Sequence, residues 1–175
     1  MDQELPFSEE ATATVAAPLD AVFAFLDDHG NLSAHMSKSS WMMLGSRMEI
    51  HVDAAGAREV GSRFGFKGSL LGIALSVDEI VTRREPFKVK TWETVGEPIL
   101  WVIGRYRMGF QLTPRGRSSL LRVFISYALP RSWPARWFGL VLGRVYARWC
   151  TARMAGDAAK HFRESAAPST MLTAQ

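Results

Sequence analysis

The chain is short of several things, and each shortage excludes something. Its 175 residues include one cysteine, Cys150, so no disulfide framework can close within it and a reducing compartment is expected. The N-terminus MDQELPFSEE is acidic and lacks the basic and apolar regions of a signal peptide. No apolar run reaches the ~20 residues of a membrane span, because Arg144 and Arg148 interrupt the richest one. The expected location is therefore the cytoplasm. There is no phosphate-cradling glycine loop, and the Ser33–His35 pair is not the G-x-S-x-G elbow of a hydrolase. His29, His35, His51 and His161 lack ligand spacing and no cysteine pair exists, so neither a metal nor another cofactor is expected.

Acid is scarce in the second half. Residues 1–99 carry 9 Lys+Arg and 15 Asp+Glu, whereas residues 100–163 carry 12 Lys+Arg and one acid, Asp157. One reading is an anionic partner: nucleic acid, a membrane surface or an acidic ligand. The blander reading, that the two halves neutralise each other across the fold, is favoured because the arginines are spread along strands and a helix. Arg105, Arg107 and Arg122 form a strip with Trp101 and Phe124 beside it, but a solvated sheet face is commoner than a stacking platform, and nucleic acid is not expected.

What the chain does have is alternation followed by one long helix. Residues 9–17 read as a first strand, and Pro18 opens a short helix over PLDAVFAFLDD. Asn31 to Met36 adds a helical turn. From Trp41 the period is two. Met42, Leu44, Met48, Ile50 and Val52 share one face of a strand, then Val60, Phe64, Phe66 and Leu70 of the next. Strands follow over Ile73–Arg84, Phe87–Val95, Ile99–Thr113 and Arg117–Leu129, with Pro114-Arg115-Gly116 as a hairpin turn. A helix runs from Ser132 to Arg163 with two apolar seams. The bulky one holds Phe138, Leu142, Val145 and Trp149 and is assigned to the sheet, although Trp149 is also able to reach a pocket. The other holds Gly143, Ala147, Cys150 and Met154 and would leave space beside the helix. The order β-α-α-β-β-β-β-β-β-α predicts an α+β fold, a curved antiparallel sheet of about seven strands around a long C-terminal helix. One domain is expected over residues 9–163, with residues 1–8 an extension and 164–175 a disordered tail.

With that order, with TVAAPLDAVFAFLDD at the start, EIVTRREPFKVKTWET in the middle and YARWCTARM on the last helix, the sequence resembles the SRPBCC superfamily. This is the helix-grip fold of START lipid-transfer domains and polyketide cyclase-like proteins. The resemblance implies an apolar cavity between sheet and helix that holds lipids, polyketides or other hydrophobic small molecules. Fold alone does not choose among them.

The expected ligand-binding wall comprises Met48, Phe64, Phe66, Tyr106, Met108, Phe110, Tyr127, Gly143, Ala147, Trp149, Cys150 and Met154; the alternative is that these side chains close-pack into a dry core. Strand phase brings Glu79 inward with Val77 and Val81, and Glu93 inward with Val89 and Val95, unless a bulge returns either to solvent. Trp92 then falls on the outer phase. An inward carboxylate would have a raised pKa and could act as acid or base, and His35 is the best-placed histidine for such work. The first functional expectation is binding of a hydrophobic small molecule. The alternative is a cyclase/dehydratase-type enzyme using Glu79, Glu93 or His35, and a third is peripheral membrane or protein contact through the basic half. Monomer and homodimer both stay open.

Overall fold

The computed structural model describes residues 4–32, 47–70 and 73–166. In chain order these form β1 (Phe7–Val15), α1 (Leu19–Asp27), α2 (His29–Leu32), β2 (Arg47–Val52), β3 (Arg63–Leu70), β4 (Ile73–Glu85), β5 (Val89–Ile99), β6 (Tyr106–Arg115), β7 (Ser118–Tyr127) and α3 (Trp133–Ala166). All seven strands join one antiparallel sheet in the order β1-β7-β6-β5-β4-β3-β2. The expected order of elements is observed. β1 starts at Phe7 and the last helix runs on to Ala166, so both ends of the folded chain exceed the predicted span of 9–163. The predicted helical turn from Asn31 to Met36, His35 included, falls mostly outside the described residues, as do Trp41, Met42, Leu44 and the end of the expected tail.

Local chemistry sets the element ends. Pro18 sits extended before α1, and its carbonyl accepts the Val22 N–H at 3.1 Å. The β6–β7 hairpin turns at Gly116 and Arg117, between the paired Arg115 and Ser118; Gly116 has φ +62°, which a two-residue hairpin needs at its first position. Pro114 is therefore a strand residue paired with Ser119, not a turn residue. At the start of α3 the Ser132 carbonyl accepts the Arg136 N–H at 2.9 Å.

One face of the sheet is lined by Phe64 and Phe66 of β3, Val77 and Val81 of β4, Met108 and Phe110 of β6, and Leu121, Val123 and Ile125 of β7, all buried. α1 covers part of this face with Val22, Phe23 and Leu26, and α3 lies across β1 and β7. On β2, Ile50 and Val52 stay exposed beside an exposed Glu49 and His51, so the half-buried strand expected there keeps water on both sides.

The long helix packs the opposite way from expectation. Phe138, Leu142 and Val145, assigned to the sheet, are exposed, while Ala135, Gly139, Gly143 and Ala147 are buried. A Cβ on Gly143 would lie 3.2 Å from the Val102 carbonyl oxygen and 3.3 Å from the Tyr127 ring. A Cβ on Gly139 would lie 2.8 Å from the Pro130 ring and 3.0 Å from the same Val102 oxygen, so the small seam is what lets the helix approach the segments flanking β6 and β7 this closely.

Part of the charge asymmetry is absorbed across the fold. Glu9 holds Arg144 at 2.7 Å, Glu10 pairs with Arg122, Glu93 with Arg107 at 3.0 Å and Glu97 with Arg131 at 3.0 Å.

Candidate functional site

Glu79 is the chemical centre of the interior. It sits on β4 between Val77 and Val81, inward as the alternation predicts, and is 5% exposed. The Tyr106 hydroxyl on β6 donates to Glu79 Oε1 at 2.7 Å, and the Trp92 side chain on β5 also hydrogen-bonds the carboxyl. Burial pushes the Glu79 carboxyl up to about 7, against the two donors, which favour the charged form. From α3, Tyr146 and Cys150 come near enough to feel this group. Burial raises the Cys150 thiol to about 12, and the Glu79 charge adds to the rise at both residues. Cys150 is therefore a protonated, inert thiol at neutral pH.

Around this polar cluster the wall is apolar. Phe64, Phe66, Met108, Phe110, Cys150 and Met154 are buried, and Phe64 meets Trp92 edge-on at 6.3 Å. Trp149 and Tyr146 are only partly buried, with ring centroids 6.0 Å apart. Tyr127, the cross-strand partner of Tyr106 on β7, is buried and stacks on Phe7 at 5.5 Å. Gly143 and Ala147 pack in the helix–sheet seam and do not line open space there. Met48 belongs to β2, and His35 lies outside the described residues.

Glu93 and Trp92 exchange the faces expected of them. Glu93 points outward to Arg107, while Trp92 is 3% exposed inside. The phase of β5 is set by its neighbours: Thr94 pairs with the inward Glu79, and Trp92 with the inward Val81 on one side and Met108 on the other. Lys90, Trp92 and Thr94 therefore take the inner positions, and Phe87, expected inward, is exposed. A β-bulge at Thr82, between the Val81–Trp92 and Arg83–Thr91 pairs, then brings Arg84 opposite Lys90. A lysine tolerates the interior because its Nζ lies 2.8 Å from Asp27 Oδ1 and 3.1 Å from the Asp27 carbonyl oxygen at the end of α1. Arg84 also binds Asp27, at 2.8 Å. Burial alone would raise the Asp27 carboxyl, but its bonds to Arg84 and Lys90 outweigh that and hold it low.

Trp92 as a carboxyl donor, Tyr146 and the Asp27–Arg84–Lys90 cluster were not singled out by sequence reasoning. Tyr146 stands one helical turn before Cys150, and that spacing was a usable signal. The other two depend on the phase of β5, which its pairing with β4 and β6 sets.

Two open clefts flank the N-terminal half of α3. One, of about 420 Å³, is lined by Phe7, Glu9, Tyr127, Leu140 and Arg144; the other, of about 460 Å³, by Ile99, Trp101, Leu129 and Arg131 among others. Neither reaches Glu79. Among the described residues no group of His, Cys, Asp and Glu side chains gathers where a metal could be held.

No protein-family model matches the chain, and no curated protein matches it. Solved structures do. TTHA0849, a protein from Thermus thermophilus, superposes with a TM-score of 0.63 at 14% identity, over 92% of this chain and 100% of that one. Norcoclaurine synthase from Thalictrum flavum, in complex with dopamine and hydroxybenzaldehyde, gives a TM-score of 0.63 at 15% identity, over 90% and 87%. Ara h 8.0201 gives 0.56 at 10% identity, over 90% and 98%. The chain has the helix-grip fold that these structures share. At these identities the likeness is one of fold. The part of α3 that faces Glu79 carries Tyr146 and Cys150.

Proposed function

We propose that the protein binds a hydrophobic small molecule between the inner face of the sheet and the C-terminal half of α3, with Glu79 and Tyr106 as the polar end of the site. The observation that carries this reading is Glu79 itself. A lone carboxyl, bonded by Tyr106 and Trp92 and surrounded by Phe64, Met108, Cys150 and Met154, is the pattern of an apolar pocket with one orienting polar group. Close to neutrality a carboxyl with a pKa of about 7 can either donate a hydrogen bond to a ligand oxygen or accept one from a hydroxyl. Trp149 and Tyr146, partly exposed on the same side, form the adaptable wall.

The test is native mass spectrometry of the chain purified from cells, alone and after incubation with a lipid and polyketide extract of its host. The expected result is an adduct of defined mass that Met154→Trp, which fills the interior, removes while the fold is retained. Only the bare chain mass in both preparations would count against binding.

A second reading keeps the same residues and adds chemistry. A carboxyl that exchanges its proton near neutral pH is suited to general acid–base catalysis, and a helix-grip neighbour is a synthase that holds dopamine and hydroxybenzaldehyde. On this reading Glu79 moves the proton in a cyclase- or dehydratase-type step, and Tyr106 holds its carboxyl in place. Glu79→Gln separates the two readings: ligand uptake that survives with all turnover lost supports catalysis, and a chain with no turnover on any bound compound is a carrier.

A further inference from the structure

The outer face of the first half of α3 has the wrong composition for a helix that meets only water. Trp133, Trp137, Leu140, Val141 and Val145 are between 53% and 76% exposed, and Trp101 beside Phe138, with ring centroids 6.3 Å apart, extends the patch onto the sheet side. A surface helix normally turns its bulky side chains in and its small ones out. Here the small seam of Gly139, Gly143 and Ala147 is buried, so Trp133, Trp137, Val141 and Val145 are left exposed.

The charge around the patch indicates what covers it. No Asp or Glu occurs between Glu97 and Asp157, and every basic residue in that interval is an arginine. Arg131, Arg136, Arg144 and Arg148 border the apolar face. Glu97 and Glu9 engage Arg131, Arg144 and Arg148, while Arg136 has no ion pair among the described residues. A second copy docked on this face about a two-fold axis would set arginine against arginine, and that repulsion disfavours a dimer. An anionic bilayer matches both features: apolar residues and tryptophan enter the headgroup boundary while arginine meets lipid phosphate.

We propose that this face docks the protein on an anionic lipid bilayer, with the Trp133–Val145 segment lying in the plane of the headgroups. At 1.5 Å per residue the segment is about 20 Å long, enough for an in-plane anchor. It does not cross, since no helix among the described residues is long and apolar enough. The proposal stands apart from the ligand reading, because it uses no residue near Glu79.

The test is co-sedimentation of the full chain with phosphatidylcholine vesicles, with and without phosphatidylglycerol. The expected result is binding at least roughly tenfold tighter to the anionic vesicles, weakened but not abolished by high salt. Trp137→Asp with Val141→Asp should lower that binding by about tenfold or more, with far-UV circular dichroism and the thermal unfolding midpoint little changed, because both side chains are exposed. Arg136→Glu should weaken binding to anionic vesicles and leave neutral ones unaffected. The proposal is overturned if the wild type ignores anionic vesicles or if neither substitution moves its binding. It is equally overturned if sedimentation shows a dimer that the double variant splits, since the face would then be covered by a second copy.

Discussion

Glu79 and Asp27 are both buried carboxyls, and their surroundings drive them in opposite directions. Asp27 is met by two cations and is held ionised; Glu79 is met by two neutral donors and keeps its proton up to about pH 7. The consequence for stability has a definite sign. The folded chain holds the Glu79 proton more tightly than the unfolded chain does between the ordinary value of 4.5 and about 7, so this group's contribution falls as pH rises through that window and is flat on either side. Glu79→Gln removes the slope. In urea unfolding, the variant should gain on the order of 3 kcal/mol relative to wild type between about pH 4 and about pH 8. At the other carboxyl, Asp27→Asn strands Lys90, which is 1% exposed, and should cost about 3–5 kcal/mol; Asp27→Leu with Lys90→Met should recover most of that. Equal losses in the single and double variants would show that the ion pair is not what holds α1 to the sheet. Glu79 was legible from the alternation of Val77 and Val81. The Asp27–Lys90 pair was not, because it joins residues 63 apart and needs the inner phase of Lys90, which is set by its pairing with Phe110 on β6.

At the scale of elements, α3 was legible as a helix with two apolar seams, and its orientation was not. Bulk usually marks the buried side, but the decision rests with the partner surface. Val102, Tyr127, Leu129 and Pro130 come so close to the helix that only glycine fits at Gly139 and Gly143. Gly143→Phe, which would test pocket blockage if this seam lined a cavity, is instead a packing test. It should destabilise the fold by at least about 2 kcal/mol, read by thermal unfolding, because the Cβ already meets Val102 and Tyr127 within 3.3 Å. Gly156 gives the contrast on the same helix. Nothing lies within 4 Å of its added Cβ, so Gly156→Ala should raise stability by about 1 kcal/mol through helix propensity alone. If Gly156→Ala proves neutral and Gly143→Phe harmless, α3 is not packed as described. The strand phases divide the same way: β6 and β7 pair without a break and read correctly from Tyr106 to Leu112 and from Leu121 to Tyr127. β4 and β5 carry two register shifts, and Glu93 and Trp92 lie in the short run of pairs between them.

Over the whole molecule, α3 serves two surroundings along its length. Toward its N-terminus it turns small residues inward and leaves bulk outside, and farther along it brings Tyr146 and Cys150 near Glu79. The helix-grip architecture thereby puts a single protonatable group in an apolar interior, and the ligand reading depends on that group behaving as its surroundings dictate. The most direct measurement is a carbon-13 NMR titration of the Glu79 side-chain carboxyl, assigned by comparison with Glu79→Gln, in the bare chain and after loading with the compound recovered by mass spectrometry. A midpoint at about 7 that moves on loading is the expected result. A midpoint near the ordinary glutamate value of 4.5, or one that the bound compound leaves in place, would contradict the assignment of Glu79 to the binding site.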